Sequence, residues 1–262
     1  MPELPDVEIF KRYIESTSLH KRIIGVHILS RDMVKGASVS EIKKLLDGER
    51  FETTARHGKN LFIQTGGQSW IMLHFGMTGF VKYFKNEDER PAHVRLLIDF
   101  SNGFYLAYDC QRKFGMISLT ESPERFAREK KLGLDALDPA LDFEQFEKIL
   151  SKTNSTIKTV LMNQNFLAGL GNVYSDEILY QAGIRPARKS GELDREEKKQ
   201  IFFKMGHVLR KAIEARADPE RFPSSFLTPY RSAGKPCPKC EGSIEKKKIG
   251  GRTSYFCPRC QG

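Results

Sequence analysis

The chain begins with MPELPDVEIF, in which a proline directly follows the methionine. If Met1 is removed, the first group of the chain is the secondary amine of Pro2, which can attack an electrophilic carbon. An α-amino group titrates near ~8, so a useful fraction is unprotonated at neutral pH. Two carboxylates, Glu3 and Asp6, follow closely. The amine would thus be tethered near two carboxylates at the start of a predicted helix; the alternative is that Pro2 only directs removal of the methionine and that Pro5 begins the helix.

A second group of chemically active residues lies at the other end of the chain, where two CxxC units are separated by sixteen residues. Their members are Cys237, Cys240, Cys257 and Cys260. This spacing is typical of a tetrahedral four-thiolate zinc site, and so short a segment would have little core without a metal. We therefore predict one structural zinc ion. The fifth cysteine, Cys110, is expected to be a small buried side chain.

The residues between the CxxC units predict a basic β-hairpin. Gly250 and Gly251 lie between the segments SIEKKKI and RTSYF, which is a strong signal for a two-residue turn. Arg252 follows the turn, and three lysines occupy the approaching strand. From residue 231 to residue 262 the chain has eight basic and two acidic side chains. Such a hairpin can enter a DNA groove or contact a phosphate.

The composition limits the class of protein. With 262 residues, 39% of them hydrophobic, the chain can form one large domain or two ordinary ones. Its net charge of +10 suits a polyanionic partner, with a solvated basic surface as the alternative. The sequence has neither a signal-peptide core nor an apolar run long enough to cross a membrane. Because paired cysteines suit metal binding in a reducing compartment, we expect a cytoplasmic protein.

The pattern of apolar residues predicts an α+β fold. Val7, Phe10 and Ile14 recur at helical spacing and indicate a first helix. Segments such as VRLLIDF and FYLAYD then indicate an antiparallel β-sandwich or a flattened barrel over roughly residues 20–120. From about Pro123, stretches such as FEQFEKILSK and VYSDEILYQAG favour helices. We expect an N-terminal β-sandwich domain with its leading helix at 1–130, a helical domain at 131–228 and a zinc finger at 229–262.

Two glycines separate two of the helical patterns. They are Gly169 and Gly171, in the sequence LAGLGNVYSDE, and Asn172 is expected to cap the helix that follows. The free N–H groups of a helix start can bind a phosphate, and glycine allows the phosphate to approach closely. The alternative is an ordinary corner between two helices.

Several motifs resemble those of the formamidopyrimidine-DNA glycosylase and endonuclease VIII family of base-excision repair enzymes. In chain order they are MPELPDVE, HGKNLF, LHFGMTG, QRKFG, AGLGNVYSDE and the terminal CPKC and CPRC. The resemblance implies a β-sandwich domain, a helix-two-turn-helix domain and a zinc finger. It also implies a bifunctional DNA glycosylase and abasic-site lyase, monomeric, acting on double-stranded DNA that contains oxidised bases or abasic sites, with no cofactor beyond zinc.

The resemblance assigns roles to the catalytic candidates. The family's nucleophile is the N-terminal proline amine, here Pro2, which forms an iminium with the sugar C1′ and so permits β- and then δ-elimination of the phosphates. Glu3 is the implied general acid or base at the sugar ring, where a carboxylate also stabilises a developing cation. Lys59 is implied to contact the lesion nucleotide or its phosphate; the alternative is a surface lysine.

Other matched positions concern the grip on DNA. Met77, Arg112 and Phe114 match residues that fill the space left by an everted nucleotide, although Met77 and Phe114 without the family would be assigned to a core. The remaining matched positions are His74, Asn172, Glu177 and Arg252. Of these, Asn172 and Arg252 match a phosphate-binding pair, whereas His74 is either a phosphate ligand or a structural residue.

Two departures from the family pattern limit what the resemblance implies, and the second concerns the substrate. Asp6 stands where the family usually has glutamate, which shortens the side chain by one methylene. Only residues 218–236 separate the last helix from Cys237, whereas the branch devoted to 8-oxoguanine has a longer loop there that closes over the everted base. We therefore expect formamidopyrimidines, hydantoins or oxidised pyrimidines to be better substrates than 8-oxoguanine.

Two further classes of function agree with parts of the sequence. A catalytically silent relative could recognise damaged or bent DNA through the same fold, and retention of Met1 would favour it. An RNA- or ribosome-associated module would explain the basic charge. It would leave the combination of Met77, Arg112 and Phe114 without a role.

Overall fold

Two main hydrophobic cores organise the chain, of which the computed structural model describes residues 1–67 and 69–262. The first core belongs to a unit formed by Met1–Pro2 and Asp6–Lys130, and the second to a unit formed by Glu3–Pro5 and Lys131–Gly262. Residues 3–5 therefore belong with the second unit, although they stand at the start of the chain.

The first unit is a sandwich of two four-stranded antiparallel sheets. In chain order its strands are β1 (Ile23–Ile28), β2 (Phe51–His57), β3 (Asn60–Thr65), β4 (Trp70–His74), β5 (Phe80–Phe84), β6 (Val94–Phe100), β7 (Tyr105–Asp109) and β8 (Met116–Thr120). One sheet has the order β1-β6-β7-β5 and the other the order β2-β3-β4-β8. Leu96 and Ile98 point into the core between the sheets, while Leu97 joins a small cluster on the outer face. The predicted sandwich is confirmed.

Three helices accompany the sandwich strands: α1 (Leu4–Thr17), α2 (Val39–Leu46) and α3 (Pro123–Glu129). Val7 and Ile14 of α1 are buried in the core between the sheets, as their helical spacing predicts. Helix α3 follows the cap residue Ser122 and places Phe126 in an edge-on contact with Phe62 of β3. This contact covers part of the outer face of the second sheet.

The second unit is mainly helical. Its helices are α4 (Phe143–Ser151), α5 (Ile157–Met162), α6 (Asn172–Ala182) and α7 (Arg195–Glu214), and two short parallel strands are β9 (Leu134–Asp135) and β10 (Leu167–Ala168). Helix α7 begins with a capping box of Asp194 and Glu197. Helix α6 is buried along most of its length and contacts α5 and α7. The α5–turns–α6 arrangement is the helix-two-turn-helix expected from the resemblance.

A β-hairpin near the end of the chain is formed by β11 (Glu245–Ile249) and β12 (Arg252–Phe256). Ile249 pairs with Arg252 across the turn, where Gly250 and Gly251 have φ angles of +54° and +76°. Glycine adopts two consecutive positive φ angles without strain, which explains the turn and confirms its prediction. Among the residues that the structure describes, no helix is long and apolar enough to cross a membrane.

Candidate active site and nucleic-acid interface

The carboxylate of Glu3 lies at the N-terminus of helix α6. Its oxygens accept hydrogen bonds from the backbone N–H groups of Gly171 at 2.7 Å, Val173 at 2.9 Å and Tyr174 at 3.3 Å. The N-cap position is occupied by Gly171, which has no side chain to close the helix. Glu3 therefore supplies the cap, and the helix dipole favours its negative charge. At 1% exposure the side chain is held in one position.

This arrangement corrects two expectations about the glycine turn. Asn172 is the first residue of α6 and does not cap it. The N–H groups expected for a phosphate bind Glu3 instead. Gly169 has a φ of +110°, and a Cβ there would lie 2.5 Å from Cδ1 of Leu4. The glycine is thus required for the close approach of the N-terminal segment, because both backbone angle and space exclude a side chain.

Asn172 links α6 to the hairpin. Its Nδ2 group donates a hydrogen bond of 3.1 Å to the carbonyl oxygen of Thr253, next to the exposed Arg252. The structure therefore brings the two predicted phosphate-binding residues, Asn172 and Arg252, onto adjoining elements. One Nδ2 hydrogen of Asn172 remains available for a further acceptor, because the amide carries two.

The four terminal cysteines form a compact group. Their sulfur atoms all lie within 4.8 Å of one another, with Cys237 and Cys260 at 3.7 Å and Cys240 and Cys257 at 3.6 Å. Zinc–sulfur bonds of ~2.3 Å in a tetrahedron place sulfur atoms ~3.8 Å apart, whereas a disulfide would need ~2.05 Å. The four sulfurs fit zinc, as predicted, and not a pair of disulfides.

The two loops that carry the space-filling candidates lie side by side in the sandwich unit. The backbone N–H of Arg112 donates to Oγ1 of Thr78 at 3.1 Å. Gly76 has a φ of +59°, and a Cβ on it would lie 2.4 Å from the backbone carbon of Phe114. Residues 76–78 and 112–114 are therefore in direct contact, which brings Met77, Arg112 and Phe114 together.

The exposure of these side chains excludes the core alternative. Met77 is 37% exposed and Phe114 60% exposed. The Arg112 guanidinium lies 5.2 Å from the centre of the Phe114 ring, close enough for a cation–π contact. An arginine and two apolar side chains thus project from one edge of the sandwich. The arrangement suits insertion into a base stack.

His74 and Lys59 also lie in the sandwich unit. Lys59 stands in the two-residue turn between β2 and β3, beside Asn60, which pairs with His74 at the end of β4. Burial and the nearby charge of Lys59 lower the pKa of His74. The N–H of Gly76 donates to Nδ1 of His74 at 3.2 Å, so the neutral ring carries its proton on Nε2. The Nε2–H group of His74 can donate a hydrogen bond to a phosphate.

Three family models match the chain in order. They are the formamidopyrimidine-DNA glycosylase N-terminal domain at residues 1–117, the formamidopyrimidine-DNA glycosylase H2TH domain at 132–224 and the zinc finger found in FPG and IleRS at 234–262. The formamidopyrimidine-DNA glycosylase of Pelotomaculum thermopropionicum is 33% identical over 273 residues, covering 100% of this chain and 99% of that protein. The chain belongs to the formamidopyrimidine-DNA glycosylase family. It is therefore related throughout to DNA glycosylases.

Other members of the formamidopyrimidine-DNA glycosylase family agree with this assignment. The enzyme of Streptococcus mutans is 35% identical over 275 residues, covering 100% of this chain and 99% of its own length. A solved complex between the Lactococcus lactis Fpg and DNA containing an abasic site has a TM-score of 0.89 with 29% identity, covering 99% of each chain. The fold inferred from the sequence is thus that of the family.

Within this family fold, a buried ionic cluster lies beneath the hairpin, and sequence reasoning missed it. The carboxylate of Asp176 on α6 binds the ammonium group of Lys158 on α5, and both side chains are fully buried. It also accepts from Oγ of Ser254 at 2.5 Å, the N–H of Tyr255 at 3.0 Å and Nη2 of Arg231 at 2.7 Å. Burial lowers the pKa of Lys158, while Asp176 opposes this effect. A lysine within the apolar pattern of α5 was the available signal.

Glu177, the next residue of α6, holds a different segment. Its oxygens accept hydrogen bonds from the N–H of Leu227 at 3.1 Å, the N–H of Thr228 at 2.7 Å and Oγ1 of Thr228 at 2.7 Å. Gln181 adds a fourth donor at 2.8 Å. Burial raises the pKa of Glu177, while these donors favour the carboxylate. Glu177 thus fixes the segment that precedes the zinc finger.

The candidate residues divide between the two units. The sandwich unit contains the candidates Pro2, Asp6, Lys59, His74, Met77, Arg112 and Phe114. The helical unit contains Glu3, Asn172, Glu177, Arg252 and the four cysteines. Asp6 lies in the first turn of α1 and is half-buried, and Cys110 is buried, as expected.

Proposed function

We propose that the protein is a bifunctional DNA glycosylase and abasic-site lyase of base-excision repair, in which the amine of Pro2 is the nucleophile. The observation that carries this proposal is the position of Glu3. Its carboxylate is fixed by three backbone N–H groups, and Pro2 is the residue directly before it. Loss of Met1 would thus leave a free proline amine on the residue directly before an immobilised carboxylate.

The chemistry follows from these two groups. The nitrogen of Pro2 attacks the sugar C1′, and the base leaves with the bonding electrons and takes up a proton. Because the attacking amine is secondary, its loss of a proton and opening of the sugar ring give an iminium that is already cationic. A base removes a proton from C2′, and the electrons of that C–H bond pass to the iminium to give an enamine, which expels the 3′ phosphate and restores a conjugated iminium. Loss of a proton from C4′ then drives the second elimination, in which the 5′ phosphate leaves. Glu3 moves protons at the ring oxygen and stabilises the cation electrostatically.

Each unit carries residues that would bind DNA. Asn172 and Arg252 would bind backbone phosphate, and the Nε2 hydrogen of His74 and the ammonium of Lys59 would bind phosphate near the lesion. Met77, Arg112 and Phe114 would occupy the space left by the everted nucleotide. Solved structures similar to this chain contain Fpg with DNA carrying an abasic site or Fapy-dG, which supports double-stranded damaged DNA as the partner. One zinc ion would hold the hairpin, and we infer a monomer.

Borohydride trapping tests the mechanism. Duplex DNA containing an abasic site is mixed with the protein and sodium borohydride, which reduces an iminium to a stable amine. We expect a covalent complex, with tryptic mapping by mass spectrometry placing the adduct at Pro2. Protein that retains Met1 is the matched control and should not be trapped.

Two results would contradict the proposal. An adduct on Lys59 would assign the nucleophile to another residue. Absence of trapping by protein confirmed to lack Met1 would instead support a catalytically silent relative that only binds damaged DNA.

A further inference from the structure

We propose that Arg231 is a positioning residue for two proposed phosphate ligands, Asn172 and Arg252, because it fixes the zinc hairpin on the first turn of α6. The inference rests on the proposed function in one respect: Asn172 and Arg252 are taken to contact phosphate. Arg231 itself comes from the short segment between α7 and the first zinc-site cysteine, and the sequence analysis gives this arginine no role of its own.

The guanidinium of Arg231 bridges two groups of α6. Its Nη2 donates to Oδ2 of Asp176 at 2.7 Å and to the carbonyl oxygen of Asn172 at 3.2 Å. Its Nε lies 3.3 Å from the same Oδ2. The side chain is only 16% exposed, so these contacts are made largely away from water. Bonds to a charged partner at such a position contribute more than surface ion pairs do.

The carboxylate of Asp176 also accepts hydrogen bonds from the hairpin. Oδ2 of Asp176 accepts the N–H of Tyr255, and Oδ1 accepts the hydroxyl of Ser254. The Arg231 guanidinium lies 5.0 Å from the centre of the Tyr255 ring. Arg231 and strand β12 are therefore fixed to one oxygen atom. Arg252 is three residues before Tyr255 on that strand.

A second connection runs through Asn172. Arg231 donates to the carbonyl oxygen of Asn172. The side-chain amide of Asn172 in turn donates to the carbonyl oxygen of Thr253, the neighbour of Arg252. Loss of Arg231 would leave the main chain of Asn172 and strand β12 with fewer fixed points. The expected consequence is a variable distance between the amide of Asn172 and the guanidinium of Arg252, which reduces the chance that both reach one phosphate at the same time.

An arginine is required by the geometry of these acceptors. The planar guanidinium presents several N–H donors in a fixed fork and can stack on an aromatic ring. A lysine ammonium could reach Asp176 but could not bind the carboxylate, bind the Asn172 carbonyl and stack on Tyr255 together. Lys158 already supplies one cation to Asp176, so charge compensation alone does not require Arg231.

The test is a double-mutant cycle with Arg252. Binding is measured to duplex DNA with a tetrahydrofuran abasic-site analogue, which cannot react with an amine, for the wild type, Arg231→Ala, Arg252→Ala and the double variant. We expect Arg231→Ala to weaken binding about tenfold in the wild-type background and by less than about twofold in the Arg252→Ala background. Lys235→Ala, which removes an exposed cation of the same segment, is the matched control and should change binding less.

Zinc content and thermal unfolding of each variant are measured beside binding. Arg231→Lys keeps the charge and is expected to recover only part of the affinity. Equal losses from Arg231→Ala in both backgrounds would overturn the inference, since they would indicate direct contact with DNA or general destabilisation. Full recovery by Arg231→Lys would also overturn it. Borohydride trapping of the wild type decides the proposed function separately, because the analogue experiment involves no chemistry.

Discussion

The hydroxyl group of Tyr180, on helix α6, lies 3.0 Å from the sulfur of Cys237. In a zinc site the cysteine is a thiolate, so the tyrosine donates this hydrogen bond. The ammonium of Lys239 lies over the tyrosine ring, 4.5 Å from its centre. The metal site is thus attached to the helix whose first turn binds Glu3. A donor to the thiolate also withdraws electron density from sulfur and makes it a weaker nucleophile.

Tyr180→Phe should therefore accelerate zinc loss. A hydrogen bond to a charged group contributes roughly 1.5–3 kcal/mol, so we expect release at least about tenfold faster when a coloured chelator competes for the ion. Hydrogen peroxide, which takes two electrons from two thiolates to give one disulfide and water, should also release zinc faster. Tyr105→Phe in the sandwich is the control. Equal release rates for Tyr180→Phe and the wild type would mean that the hydrogen bond does not act on the metal site.

Removal of zinc should abolish DNA binding and leave the sandwich folded. The apolar cluster around the cysteines is small, so the hairpin has little core of its own without the metal. Chelation, or Cys257→Ala, is followed by DNA binding and by hydrogen exchange of the β6 and β7 amides. Protection of those amides should be unchanged. Full DNA binding by the zinc-free protein would contradict the prediction.

Arg252→Ala should weaken DNA binding with little regard to base sequence. Each phosphate contact releases counterions, so the slope of log K against log salt should become less steep by about one. Titrations at several salt concentrations provide the measurement. Lys44→Ala, on α2 of the sandwich unit, removes the same charge and should leave the slope unchanged. An unaltered slope for Arg252→Ala would show that this side chain does not contact phosphate.

Gly169→Ala should destabilise the protein by about 1–3 kcal/mol, because the position has a positive φ and a new Cβ would collide with Leu4. Displacement of Leu4 would also move Glu3, so trapping on abasic DNA should fall more than DNA binding does. Chemical denaturation and borohydride trapping measure the two effects. Gly67→Ala is the control, because among the described residues, its chain neighbours aside, none lies within 4 Å of an added Cβ. A variant with wild-type stability and trapping would show that the segment tolerates displacement.

The preferred lesion should be a ring-opened or ring-saturated base. The segment of residues 218–236 is short, and Glu177 fixes its backbone at Leu227 and Thr228. A short, fixed segment offers few hydrogen-bond donors to distinguish 8-oxoguanine from guanine, whereas lesions that stack poorly cost less to evert.

We expect formamidopyrimidines, hydantoins or oxidised pyrimidines to be excised faster than 8-oxoguanine opposite cytosine. Single-turnover excision from otherwise identical duplexes measures this. If 8-oxoguanine is fastest, Ser224, Ser225 and Thr228 are the residues to examine.

Features that depend on neighbouring residues were predictable from the sequence. The hairpin followed from Gly250 and Gly251, and the zinc site from the spacing of its cysteines, because each depends on short-range geometry. The cap of α6 was not predictable. Asn172 has a side chain suited to capping, but the N-cap position is a glycine and the capping carboxylate comes from Glu3.

The ionic cluster was hidden for a related reason. Asp176 is 18 residues from Lys158 and 55 from Arg231, and apart from the position of Lys158 within the apolar pattern of α5 the sequence gives no sign that the three meet. Only the folded chain brings them to one site, where the desolvation of each charge is offset by the others. Likewise, the exposure of Met77 and Phe114 depends on the contact between two loops, so periodicity could not separate these residues from a core.

The cap of α6 has a consequence for the order of events during synthesis. The carboxylate that closes this helix is made 168 residues before the N–H group of Gly171 that it binds. At ribosomal rates this separation corresponds to roughly ten to thirty seconds. Until Gly171 has been synthesised, α6 cannot form and Glu3 has no helix terminus to cap. We therefore expect cleavage behind Met1 to precede the burial of Glu3, so that the amine proposed as the nucleophile is freed before the cap of α6 forms.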